Sequence, residues 1–307
     1  MRIAFLGTPE FALPSLLALF ARGDSIAVFT QPDRPIGRKA ILTPPPVKAL
    51  ALSLGLPVYQ FEKIRSKEGR AALEAFAPDL MVTAAFGQLL SAKNLAIPKH
   101  GTINVHGSLL PKYRGASPIQ SAIRDGETVT GVTTMFTDVG MDTGDMLLYV
   151  QTAIDPDENA EQLGERLSKL GADLLLETLR QFEAGTLKRI PQDDAQATIC
   201  HMLTKQDGVL DFSKPCTVVH NCVRAMNPWP TATALLDGQP LKLWQTAHTP
   251  IASSEKSCGS LFTQGNRLFV QCQDGALEIL SLQLPGKKRM NAADFLRGAS
   301  IEGKVLQ

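Results

Sequence analysis

Short apolar runs that stop at glycine or proline turns alternate with segments of helical period through the first third of the chain. Residues 2–6 (RIAFL) end at Gly7, Thr8 and Pro9, after which Phe11, Leu16, Leu17 and Phe20 recur at helical spacing. The unit repeats. Runs at 25–30, 80–84 and 101–106 read as strands, and 47–54 and 65–76 read as helices. Strands joined through helices lie parallel, since each crossover returns the chain to the same end of the sheet. An α/β domain is therefore expected, with a Rossmann-like, mostly parallel sheet covered by helices on both faces. Such sheets bind ligands beyond the carboxyl ends of their strands, which directs attention to the residues after Leu6, Thr30, Ala84 and Val105.

A chain of 307 residues exceeds one small core, and its texture changes along its length. Residues 159–184 form an amphipathic helix with Leu163, Leu167, Leu170, Leu174, Leu175 and Leu179 on one stripe. A polar stretch follows in which Pro191, Asp193 and Asp194 break every period. Beyond Asp207, short apolar runs at 233–236, 241–244, 259–262, 267–271 and 277–284 alternate with Gly, Asp and Asn, which suggests a small β-barrel. The expected division is residues 1–188, a linker at 189–206, and an OB-like barrel at 207–307. Trp229 and Trp244 read as core residues of the second part.

Composition excludes several classes. Thirty-one Lys and Arg against 30 Asp and Glu are too balanced to coat nucleic acid or an anionic membrane by net charge, so an anionic partner must meet local patches. The longest apolar stretch, LMVTAAFGQLL, falls well short of the ~20 residues that a spanning helix needs, so no membrane association is expected. Pro9, Glu10 and Pro14 interrupt the opening apolar stretch, which reads as strand, turn and helix rather than as a leader. Five cysteines without a CxxC pair fit reduced thiols in the cytoplasm better than a disulfide framework or a zinc site.

The chemistry concentrates in two segments. In GTINVHGSLLPKYRG, strand alternation puts Asn104 and His106 on one face at a carboxyl end, presenting an amide donor and an imidazole to one spot. That pair suits a reaction in which a carbonyl oxygen gains charge while a proton moves: acyl transfer or hydrolysis. A carboxylate would complete it, and DVGMDTGDM offers Asp138, Asp142 and Asp145 without the pattern choosing among them. No metal-ligand spacing accompanies the acids, and Ser108 lacks the GxSxG setting of a nucleophile.

NVHGSLLPKYRGASPIQ followed by DVGMDTGDM resembles the folate-dependent formyltransferases. The opening FLGTPEFA, FTQPDRPIGR after the second strand, and NPWPTA at 227–232 are similar to the branch of that family acting on methionyl initiator tRNA, and the likeness covers nearly the whole chain. The resemblance implies Asn104, His106 and Asp142 as catalytic residues, 10-formyltetrahydrofolate as cosubstrate and no metal. It also implies direct attack of the methionyl amine on the formyl carbon. Ser108, Leu109, Leu110 and Pro111, with Phe86, Gly87 and Leu90, correspond to its folate pocket.

For tRNA, the resemblance points to the loop at 30–48, where Arg34, Arg38, Lys39 and Lys48 stand against Asp33. Its length exceeds the usual 2–6 residues of a βα connection. Lys287, Lys288 and Arg289 in GKKRM form a second basic turn, suited to phosphate contacts. Sister transferases acting on glycinamide ribonucleotide or an amino-sugar nucleotide share Asn-x-His, and a non-catalytic RNA-binding protein is an alternative of a different class. A dinucleotide-dependent dehydrogenase is disfavoured because Gly7-Thr8-Pro9-Glu10 lacks GxGxxG.

Overall fold

A computed structural model describes residues 1–37, 39–251 and 256–307. It divides into two compact units. One comprises Met1–Pro118, Thr130–Thr152 and Gly164–Cys200; the other comprises Ile119–Val129, Ala153–Leu163 and His201–Gln307.

In the first unit, seven strands form one sheet in the spatial order Met146–Ala153, Val129–Phe136, Thr102–His106, Leu80–Ala84, Arg2–Gly7, Ser25–Thr30 and Val58–Gln60. The pairings from Thr102–His106 across to Val58–Gln60 are parallel. Three strands are absent from the sequence reading: Val58–Gln60 forms one edge of the sheet, while Val129–Phe136 and Met146–Ala153 extend it beyond His106, and Val129–Phe136 pairs antiparallel with Thr102–His106. Leu80–Ala84 is buried at every position, as a central parallel strand requires. Its Met81 packs with Leu6, Phe29, Ile64 and Leu73. The leucine stripe lies on the Ala160–Glu183 helix, with Leu163, Leu167, Leu175 and Leu179 fully buried.

Residues 189–200, expected within a linker, are built into this unit. Ile190 bridges to Met146, and Ile199–Cys200 pairs in parallel with Arg114–Gly115. Within this stretch Gln192 and Asp194 bond to Arg114, and Gln192 also to the Asp142 turn, so the absence of periodicity accompanies docking onto loops of the sheet.

In the second unit, Ala232–Leu236, Gln239–Ile251, Ala276–Gln283, Arg267–Gln271 and Leu261–Gln264 are antiparallel neighbours in that order. The last residues close the ring: Leu306 bridges to Leu236, and Val305 bridges to Ser260. Leu235 and Gln307 exchange both backbone hydrogen bonds, at 2.7 and 3.0 Å. The barrel is filled by Leu241, Leu243, Leu268, Val270, Leu277, Ile279 and Leu306, against which Val219, Val223 and Phe295 from two helices pack. Trp244 is half-buried. Trp229, expected in the core, is 54% exposed, because the turn after the Cys216–Ala225 helix carries it outward. All five thiols are free. Burial raises those of Cys216 and Cys222 to about 11, so both are neutral at physiological pH.

Candidate active site

The parallel register sets Thr83 beside Asn104 at the carboxyl end of the sheet. The Thr83 hydroxyl donates to Asn104 Oδ1 at 2.9 Å, which fixes the orientation of the amide. Nδ2 is thereby turned to donate to Asp142 Oδ1 at 3.3 Å. Two residues on, His106 is 5% exposed, and its two ring nitrogens face different partners. Nε2 lies 2.9 Å from the Tyr113 carbonyl, and because a carbonyl only accepts, Nε2 carries the hydrogen. Nδ1 faces Asp142 Oδ2 at 3.7 Å, beyond hydrogen-bond length. The same oxygen accepts the Gly115 N–H at 2.9 Å.

The structure thus brings Asn104, His106 and Asp142 together and separates the other two acids from them. Asp138 is occupied within its own turn, accepting from Gly140 N–H and the Thr143 hydroxyl. With Asp145 it lines a cavity of about 580 Å³ at the opposite end of the strand, beside Gly101, Thr102 and Arg189. Asp142 itself has φ +52°, a left-handed conformation that a non-glycine residue holds only under constraint.

Four residues that sequence reasoning missed support the trio. Thr83 turns the amide. Thr198 accepts the Tyr113 N–H at 2.8 Å through its hydroxyl, and its carbonyl accepts the Arg114 N–H at 2.9 Å. Arg114, though buried, donates to Gln192 Oε1 and Asp194 Oδ1 at 2.9 and 2.8 Å. Gln192 donates to the Asp142 and Gly144 carbonyls at 2.8 and 2.7 Å. Only the polar run after Pro191 hinted at these contacts.

The residues expected at a folate pocket divide by burial. The Ser108 hydroxyl turns inward to the Lys112 carbonyl at 2.7 Å. Thr133 links this loop to the sheet, donating to the Ser108 carbonyl and accepting the Leu110 N–H. Leu110 is buried, while Leu109 and Pro111 are half-buried. Phe86 packs into the sheet core with the partly buried Leu90 beside it, whereas Gly87 is exposed. Gln31 donates to the Gly87 carbonyl at 2.9 Å. Among the described residues, no group of three or more His, Cys, Asp or Glu is placed to hold a metal ion, and no helix is long and apolar enough to cross a membrane.

The loop after the second strand forms a ribbon of Arg34–Ile36 against Ile41–Thr43. Its charge is partly neutralised within the fold. Arg34 pairs with Glu62 at 2.6 Å, and Lys48 pairs with Asp33 at 2.8 Å while also reaching Gln60. The Lys48 ammonium, with the Gln60 amide, holds the Asp33 carboxyl below the usual carboxylate range. Lys39 is exposed at the tip, and Arg38 lies outside the described residues. On the barrel, Lys287, Lys288 and Arg289 are exposed in the turn between Ala276–Gln283 and Met290–Asn291. The Arg289 guanidinium sits 5.2 Å from the Trp244 ring centroid and donates to the Ser281 hydroxyl at 2.8 Å.

Comparison with known proteins agrees with this architecture. Residues 1–179 match the model of the formyl transferase family, and residues 202–300 match that of the formyl transferase C-terminal domain. A methionyl-tRNA formyltransferase of Geotalea uraniireducens is 52% identical, covering 100% of this chain and 98% of that protein. Another of that name from Ruminiclostridium cellulolyticum is 45% identical over 98% of each. Among solved structures, the sugar 3N-formyl transferase WlaRD, determined with dTDP and 5-N-formyl-THF, superposes with a TM-score of 0.70 at 19% identity, covering 94% of this chain and 99% of its own. HypX from Aquifex aeolicus, in complex with tetrahydrofolic acid, gives 0.63 at 19% identity over 96% of this chain and 47% of its own. With both family models matched and relatives similar along the full length, this chain belongs to the formyl transferase family.

Proposed function

We propose that this chain transfers the formyl group of 10-formyltetrahydrofolate to the amino group of methionyl initiator tRNA. The convergence of Asn104, His106 and Asp142 at one strand end carries the reading. Full-length likeness to proteins named methionyl-tRNA formyltransferase supports the substrate. The methionyl amine attacks the formyl carbon, forming a C–N bond and a tetrahedral oxyanion. The second amide hydrogen of Asn104 and the His106 Nε2–H stabilise that charge, the latter moving to it from the Tyr113 carbonyl. Asp142 orients the Asn104 amide, stands beside the His106 ring, and assists proton transfer from the attacking nitrogen toward the departing folate nitrogen as the original C–N bond breaks.

On this reading, the unit that carries the seven-stranded sheet, residues 189–200 included, is catalytic, and residues 207–307 bind tRNA. Ser108, Leu109, Leu110, Pro111, Phe86, Gly87 and Leu90 border the folate, and with the Ser108 hydroxyl already bonded to the Lys112 carbonyl their main contribution is shape. Arg34, Arg38, Lys39, Lys287, Lys288 and Arg289 meet tRNA phosphates. Reduced thiols suit a cytoplasmic enzyme. The test supplies labelled formyl donor with methionyl initiator tRNA, methionyl elongator tRNA, glycinamide ribonucleotide or an amino-sugar nucleotide in parallel. Label is expected on the initiator tRNA. Transfer only to the ribonucleotide or the sugar, or transfer to none, overturns the reading.

A further inference from the structure

Asp142 is the most constrained member of the trio. Its backbone is left-handed, and both carboxylate oxygens are engaged, by Asn104 on one side and by Gly115 on the other. Such a conformation persists only where the surroundings fix it. A further constraint comes from the segment between the two family matches, residues 180–201.

Gln192 provides it through one planar group. Its two amide hydrogens go to the Asp142 and Gly144 carbonyls, which flank the strained turn, and its oxygen accepts from Arg114. Arg114 immediately precedes Gly115, whose N–H holds the Asp142 carboxylate. The amide therefore grips both chain segments whose separation sets the 3.7 Å between Asp142 and His106. Only glutamine has this combination at this reach. Glutamate would aim oxygen at two carbonyls, leucine offers no polar atom, and asparagine is one methylene short.

We propose that Gln192 is a positioning residue for formyl transfer, holding the Asp142 turn and the Arg114–Gly115 segment in the spacing that the catalytic trio needs. This rests on the formyl-transfer reading above. It acts on Asp142 and touches no substrate, so its removal alters the chemical step and spares binding.

The experiment compares the full-length parent with Gln192→Leu, Gln192→Glu, Asp142→Asn and the double variant Asp142→Asn/Gln192→Leu. Formylation kinetics are followed, together with the ring-nitrogen NMR signals of His106 in labelled protein. Gln192→Glu keeps the Arg114 contact and guards against misfolding of Gln192→Leu, and thermal transitions confirm that each is folded. Gln192→Leu is expected to lower kcat by about 10- to 100-fold, the scale of a misplaced catalytic group. KM values for both substrates should stay within about threefold, and the same change in Asp142→Asn should cost less than about twofold. The His106 ring signals should move in both Gln192 variants. Parent-like kcat, full additivity in the double variant or unmoved ring signals each overturn the proposal. An inactive parent overturns the functional reading instead, and the ring signals then still decide whether Gln192 positions the trio.

Discussion

The Gly115 N–H donates to Asp142 Oδ2 at 2.9 Å, tying the loop after His106 to the acidic turn 27 residues later. Gly115 has φ +116°, and an ideal Cβ there would lie 2.2 Å from the Cys200 carbonyl oxygen. Both facts restrict the position to glycine. Gly115→Ala is expected to lower stability by about 1–3 kcal/mol and turnover by roughly tenfold or more. Urea unfolding and formylation rates check this, and a fully active Ala variant would refute the importance of the contact.

Truncating the trio tests the roles assigned to its members. Asn104→Ala, His106→Ala and Asp142→Ala should each lose at least about two orders of magnitude in kcat while remaining folded. Asp138→Ala and Asp145→Ala should be far milder, since both acids lie at the far end of the strand. Single-turnover formylation separates the two groups. Equal losses for Asp142 and Asp145 would remove the basis for choosing Asp142.

The two basic clusters should differ in their salt response. Neutralising Lys287 and Lys288 is expected to weaken tRNA binding generally and to flatten its logarithmic salt dependence by about 0.7–0.9 per lost phosphate contact. Lys39→Gln should chiefly impair discrimination of initiator from elongator tRNA, leaving folate binding intact. Arg34→Gln should do less, because Glu62 already neutralises that cation. Salt titrations with both tRNAs provide the measurement, and a Lys39 variant indistinguishable from the parent would reduce the ribbon to a solvated surface element.

Acid stability carries a separate signature. The Lys99 ammonium, with the Arg2 N–H, holds the Asp79 carboxyl down to about 2 from its ordinary 3.8. A depressed acid stabilises the fold above its unfolded pKa and loses that contribution as pH falls through its folded value. Asp79→Asn should therefore lower the thermal midpoint modestly at neutral pH, with the gap to the parent closing between pH 3.8 and about 2. Thermal scans across this window check it. A gap that widened on acidification would contradict the assignment.

Legibility in the sequence followed the range of the interactions. The strands at 25–30 and 80–84 stood out because near-complete burial demands mostly apolar runs. Val129–Phe136 was missed because Gly131 and three threonines look like a break. In the structure, a Cβ on Gly131 would lie 2.0 Å from the Val150 carbonyl oxygen, so glycine admits the neighbouring strand there. Asn104 and His106 were visible from a spacing of two, whereas Asp142 needed the family resemblance to single it out from its neighbours. Gln192 had no local signature beyond the polar run it stands in, since its partners are carbonyls 48 and 50 residues away and an arginine 78 residues away.

The pairing of Ile199–Cys200 with Arg114–Gly115 bears on how this enzyme is cut and recombined. A chimera spliced at residue 188, where the leucine helix has ended and the polar stretch begins, would import a foreign sequence into the edge of the catalytic loops. A junction placed after Cys200 keeps the native ribbon with its own sheet, so modular exchange of the barrel must respect a border set by hydrogen bonding rather than by composition.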